Sequence, residues 1–129
     1  MKNLYFSLIF AIVFFSCKKE KDSTCKADLA FNKISISNSS SAATGIQFQA
    51  EANGANLCYS FSHFAISKAG DKTFDIYAKA SIPCGQPVCA EALYFTSNMG
   101  RIEGVTPGIY TLRFYNYDGL FTSVSVTIL

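Results

Sequence analysis

Ile46-Gln47-Phe48-Gln49-Ala50-Glu51-Ala52 sets four apolar side chains against three polar ones in strict alternation. Successive side chains on a strand point to opposite faces, so this period of two describes a strand with one face buried and one wet. Asn53-Gly54 follows directly. That dipeptide suits a two-residue turn, because both positions accept positive φ. Read as a hairpin, it puts Ala50 opposite Leu57, Phe48 opposite Tyr59 and Ile46 opposite Phe61, with apolar side chains on one side throughout, and it leaves Cys58 on the polar face.

The same character extends in both directions. Upstream, Leu29 and Phe31 share one phase while Ile34 and Ile36 share the other, which predicts a bulge near Asn32 and Lys33 and a strand able to serve two sheets. The Ser-rich residues 38–44 between it and the central strand read as a loop. Downstream, two phases remain open: Phe61, His63 and Ala65 share a face, or Phe64 and Ile66 turn inward after a bulge. A Gly70-Asp71 turn leads into a clean alternating strand over 74–82. Residues 93–95 read as a short strand and 98–107 as a loop. In the last hairpin, a two-residue Asp118-Gly119 turn would bury the wrong face of the final strand. A three-residue loop, Tyr117-Asp118-Gly119 with Gly119 left-handed, instead sets Phe114 opposite Thr122 and Leu112 opposite Val124. About seven strands and no helical spacing beyond the N-terminal segment predict an all-β, antiparallel β-sandwich.

The 129-residue chain carries a net charge of +2, but the excess sits at one end. From Ala27 onward the basic residues are Lys33, Lys68, Lys72, Lys79, Arg101 and Arg113, against Asp28, Glu51, Asp71, Asp75, Glu91, Glu103 and Asp118. A nearly neutral body gives no reason to expect a nucleic-acid partner. The acidic residues are scattered and His63 is the lone histidine, so no catalytic constellation is expected; Asp71 and Asp75 read as solvated carboxylates. Cys25, Cys58, Cys84 and Cys89 read as two disulfides. They lack the C-x-x-C spacing of structural zinc sites, and Cys84 and Cys89 are too far apart for a thioredoxin-like pair, so neither a metal nor a cofactor is expected. Strands running alternately up and down put all four at one end, with Cys25 near Cys58 and Cys84 near Cys89.

The N-terminus differs in kind. Lys2 and the apolar run over 4–15 have the form of a secretory signal, too short to cross a bilayer. Phe14-Phe15-Ser16-Cys17 closes that run and Lys18-Lys19 follows. The cysteine directly after Ser16 resembles the lipobox of bacterial lipoproteins, which implies cleavage before Cys17, acylation of its thiol and a membrane anchor. The expected division is a signal over 1–16, the acylated cysteine and a flexible tether over 17–26, and the sandwich over 27–129. Lys18 does not match the aspartate that retains many lipoproteins in the inner membrane, so the resemblance implies an outer-membrane site in the cell envelope. Separately, Thr106-Pro107-Gly108-Ile109-Tyr110-Thr111-Leu112 resembles the P-G-x-Y-x-L corner of immunoglobulin-like and fibronectin-like sandwiches, and implies that the Tyr110 hydroxyl bonds back across a corner.

The expectation is a lipid-anchored, non-catalytic binding or accessory module. Its candidate binding loops, at the end away from the membrane, contain Asn38, Ser39, Ser40, Lys68, Asp71, Asn98, Met99 and Arg101. Two alternatives use particular residues. A protease inhibitor would present Met99 and Arg101 from a loop, and a glycan-binding domain would use Tyr115, Tyr117 and Phe121 as a flat aromatic platform. The ligand class, whether protein, peptide or glycan, stays open.

Overall fold

The computed structural model describes residues 23–85 and 88–129. The expected signal over 1–16, the expected lipidation site Cys17 and the lysines at 18, 19 and 21 lie outside the described residues. The described chain is built of eight strands: β1 (Thr24–Asp28), β2 (Ala30–Ile36), β3 (Ile46–Gly54), β4 (Ser60–Gly70), β5 (Thr73–Pro83), β6 (Tyr94–Ile102), β7 (Gly108–Tyr115) and β8 (Phe121–Ile128). They form a β-sandwich. One sheet has the order β2-β3-β6; the other runs β1-β5-β7-β8, with β4 also paired to β5.

The eighth strand comes from splitting the first. β1 pairs with β5, β2 pairs with β3 in the opposite sheet, and Leu29 makes the step between them. Its side chain is fully buried, and its N–H donates to the Ala78 carbonyl at 2.9 Å. The register then shifts between Phe31 and Lys33. The chain thus serves both sheets and bulges where its apolar phase changes. Ordered strand begins at Thr24, so Thr24, Cys25 and Lys26 belong to the sandwich rather than to a tether.

The central strand buries Ile46, Phe48, Ala50 and Ala52, but not in the expected pairing. Asn53-Gly54 makes no hairpin. β3 is the middle strand of its sheet, with β2 on one side and β6 on the other, so no hydrogen-bonding edge is left for the segment that follows. Gly54 pairs with Tyr94, and the chain crosses to the other sheet to begin β4.

Residues 98–102 are likewise strand and not loop. β6 runs antiparallel to β3 from Ile102, opposite Ile46, to Tyr94, opposite Gly54. Its inward residues are Thr96, Asn98 and Gly100, and the outward Phe95 and Met99 are exposed, which inverts the usual pattern. The reason is Phe48. A Cβ on Gly100 would lie 2.6 and 2.7 Å from Cε2 and Cε1 of that buried ring and closer still to Cζ. The strand yields side-chain volume to the core instead of supplying it.

β4 shifts register between Phe61 and His63. That bulge turns Phe64 and Ile66 toward the core and leaves His63 exposed, its Nδ1 2.9 Å from the Ser62 hydroxyl. In the last hairpin, Leu112 pairs with Val124 and Phe114 with Thr122. Asn116 accepts from Gly119 and donates to Leu120 across the three-residue loop, and Gly119 has φ 82°.

The centre of the core is aromatic. Phe48 and Phe31 each meet Phe114 edge to face, at 5.3 and 5.2 Å between centroids, and Phe64 packs on Phe48 at 5.2 Å. Such pairs add about 0.5–1.5 kcal/mol beyond the area they bury. Toward the end where β1 starts, the core narrows to Leu29, Ala52, Ala78 and Ala80, covered by Tyr59, Phe61 and Tyr94. β5 and β7 run parallel, with Ile76 beside Phe114, so β1 and β7 share one flank of β5 in succession.

Candidate functional site

Three regions of the surface combine defined geometry with chemistry. The first is the end from which β1 starts. Cys25 bridges to Cys84 and Cys58 to Cys89, with Cα separations of 5.1 and 5.5 Å. All four cysteines do lie at one end, but the connectivity differs from the expected Cys25–Cys58 and Cys84–Cys89. The cause is sheet order. β1 is a direct neighbour of β5, with Cys25 opposite Ile82 and the Cys84 N–H donating to the Ser23 carbonyl at 2.8 Å, so the first and third cysteines meet. Cys58, at the entrance to β4, then meets Cys89 on the way to β6. With the sulfurs joined in pairs, no thiolate remains for the four-cysteine zinc alternative.

The second region is the outer face of the larger sheet. Cross-strand register aligns Tyr77, Tyr115 and Phe121 in one row, and Asp75 with Arg113 in the next. Arg113 grips Asp75 with two parallel bonds, Nε to Oδ1 at 2.6 Å and Nη2 to Oδ2 at 2.9 Å. This fork holds the guanidinium even further above neutral pH than usual, chiefly through the hydrogen bond to Asp75, so Arg113 stays charged. Its cation also lies 5.8 Å from the Tyr115 ring and 5.6 Å from Phe121. On the next row Lys79 donates to Asp28 at 2.6 Å and sits 4.9 Å over Tyr77.

Those rings do not make a platform. Tyr77 and Tyr115 stack face to face, 4.9 Å apart and 13° from parallel, and Phe121 tilts by 41° against Tyr115. Their faces are used on each other and on the two cations. Tyr117 stands apart, exposed in the β7–β8 turn, where it lines a shallow recess with Asp28, Gly54 and Tyr59. Of the aromatic trio named from sequence, the fold joins Tyr115 to Phe121 and separates Tyr117.

Beside this face, over β5 and between β1 and β4, a trough of about 280 Å³ is lined by Thr24, Lys26, Ser62, His63, Lys79 and Ser81. Ammonium and hydroxyl groups of this kind can receive an anionic or hydroxylated group. Lys79 is already committed to Asp28.

The third region is the opposite end, where the binding loops were expected. Asn38, Ser39 and Ser40 do lie in the β2–β3 connection, but its hydroxyls are wired to each other. Ser37 Oγ meets Ser39 Oγ at 2.7 Å, Thr44 Oγ1 donates to the Ser39 carbonyl at 2.6 Å, and the Gln47 N–H donates to Ser40 Oγ at 2.9 Å. Lys68 lies on β4 and Asp71 in the β4–β5 turn, 3.9 Å apart and exposed. Asn98, Met99 and Arg101 lie on β6, hydrogen-bonded along β3, so the loop required by the inhibitor alternative is a strand. Asn98 donates to Thr96 Oγ1 at 2.6 Å, and Arg101 stands 3.8 Å from Glu103.

The corner around Tyr110 has the form its sequence implied. The buried tyrosine accepts the Thr106 N–H at 2.9 Å, with the Thr106 hydroxyl at 3.4 Å. The side-chain hydrogen bond to Thr106, then the backbone one, hold this phenol below the usual tyrosine range. Sequence reasoning missed Asn116, whose Oδ1 accepts the Phe31 N–H at 2.9 Å and ties the strand switch to the last hairpin. Nothing in local sequence marks that role, since the partners are 85 positions apart. Searches of protein-family models, curated proteins and solved structures match nothing to this chain.

Proposed function

We propose that this chain is an exported, lipid-anchored binding or accessory module of the bacterial cell envelope, held by an acylated Cys17 and without catalytic activity of its own. The supporting observation is the pairing of cysteines. Cys25 with Cys84 and Cys58 with Cys89 use four of the five, so Cys17 is the odd one out, at the position where a lipobox resemblance places the acyl group. Two disulfides also suit an oxidising compartment. Acyl chains stabilise membrane residence by about 0.8 kcal/mol per buried CH₂, and more than one chain gives stable anchoring. By the same lipobox resemblance we assign the module to the outer membrane. We read the sandwich as a variant of the immunoglobulin-like architecture on the strength of the Tyr110 corner, the parallel β5–β7 pairing being its point of departure.

The surface available for recognition is the outer face of the larger sheet, where the Arg113–Asp75 fork and the stacked rings hold side chains in fixed positions on rigid strands. Fractionation tests the anchor. The native protein is expected in the membrane pellet and resistant to extraction by high salt, whereas Cys17→Ser should appear with its leader attached or in the soluble fraction. Membrane retention of Cys17→Ser in processed form would refute the proposal.

A further inference from the structure

The exposed apolar side chains of the sandwich are unevenly placed. Of ten large hydrophobic residues that stand exposed among the described residues, five, Leu57, Val88, Leu93, Tyr117 and Leu120, lie in connections on the half of the sandwich that carries β1, while Phe121 stands on the outer sheet face beside Tyr115. Each is at least 49% exposed. Phe95 and Met99 lie along β6, and the opposite end presents Ile109 and Leu129. The five come from three separate connections. Leu57 and the 88–93 segment are held together by the Cys58–Cys89 bridge and by the Leu57 N–H donating to the Ala90 carbonyl at 3.4 Å. Tyr117 and Leu120 cap the β7–β8 turn, and Tyr117 borders Gly54 at the end of β3. Tyr94 ties this end across the sheets, its hydroxyl accepting the Phe61 N–H at 3.0 Å. Exposed apolar side chains gathered in this way mark an interaction surface.

We infer that this end is a membrane seat: the bilayer interface receives Leu57, Val88, Leu93, Tyr117 and Leu120, so that the sandwich stands on the lipid surface instead of swinging from a tether. The inference rests on the anchored reading above. The described chain begins at Ser23 on this end, six residues after Cys17, and at about 3.3–3.6 Å per extended residue the thiol cannot lie more than roughly 20 Å away. Tyrosine beside leucine suits the headgroup–acyl boundary, where the ring buries its body and keeps its hydroxyl wet. Charge does not supply the attraction. In the sequence, Lys18, Lys19, Lys21 and Lys26 are matched in number by Glu20, Asp22, Glu91 and Asp118. Contact is therefore expected to survive high salt.

Hydrogen exchange separates the seat from the anchor. One arm uses the acylated protein in phosphatidylethanolamine–phosphatidylglycerol vesicles. The other uses full-length mature chain carrying Cys17→Ser, captured through an N-terminal hexahistidine on vesicles of the same lipids with a nickel-chelating lipid; both are compared with the Cys17→Ser chain in solution. The expected result is several-fold slower exchange on vesicles in peptides covering 55–58, 88–93 and 116–121, unchanged by high salt, with 38–45 and 103–107 unaffected. Tyr117→Ser with Leu120→Ser should abolish the slowing at 88–93 while leaving solution exchange of β3 and β5 unaltered. Equal exchange on and off vesicles in the chelate arm overturns the seat, whatever the acylated arm shows. Slowing in the chelate arm with no acyl group found at Cys17 keeps the seat and removes the anchor.

Discussion

Replacing Cys25 and Cys84 together by serine should lower the stability of the sandwich by about 4 kcal/mol, because their bridge closes a 59-residue separation in the unfolded chain. The Cys58–Cys89 bridge closes 31 residues and should be worth slightly less. A domain of this size is stable by only about 5–15 kcal/mol, so losing the first bridge removes a large part of the margin. The loss is also local. β1 meets its sheet through five paired positions on β5, and without the bridge its first residues are held by those hydrogen bonds alone. Urea denaturation under non-reducing conditions measures the change. Thiol titration of the same samples reports the connectivity, since the Cys25/Cys84 double variant leaves no free thiol among the four positions. Free thiols in that variant would mean that the bridges run otherwise.

Gly100→Val should destabilise the protein by about 3 kcal/mol or more, at the upper end of what overpacking costs. Phe48 is 1% exposed and held between Phe64 and Phe114, so the ring that meets the new side chain has nowhere to go. Gly104→Ala is the control. Nothing lies within 4 Å of a Cβ there, and its φ of 69° costs a residue with a side chain about 1 kcal/mol. Shortening the ring should rescue the first variant: in a double-mutant cycle, Phe48→Leu with Gly100→Val should cost less than the sum of the two single changes. Additive effects would show that the two positions do not share space.

These two sites also show where sequence reasoning works and where it stops. The bulge after Phe31, the Leu112–Val124 register and the Tyr110 corner all rest on neighbours close in sequence, or on alternation with strong apolar contrast. β6 defeated the same logic because its inward side is Thr96, Asn98 and Gly100, volumes chosen to accommodate a phenylalanine on another strand. The disulfides failed for a related reason. That β1 lies against β5 is a fact of sheet order, and no local pattern near Cys25 or Cys84 records it. Asn53-Gly54 has the right turn chemistry, yet a central strand flanked by β2 and β6 leaves no edge for a hairpin partner. For the candidate site, residue types were readable but company was not. Tyr115 and Phe121 were identifiable as aromatics near a turn, whereas their stacking with Tyr77 and their cations depends on the parallel pairing of β5 and β7.

Non-reducing peptide mapping by mass spectrometry of the protein purified from bacterial cells expressing the full 129-residue chain tests the central claim most directly. The account predicts an N-terminus at Cys17 carrying acyl mass, with Cys25 linked to Cys84 and Cys58 linked to Cys89. A mature protein whose Cys17 is unmodified, joined to another cysteine, or still preceded by residues 1–16 would contradict it.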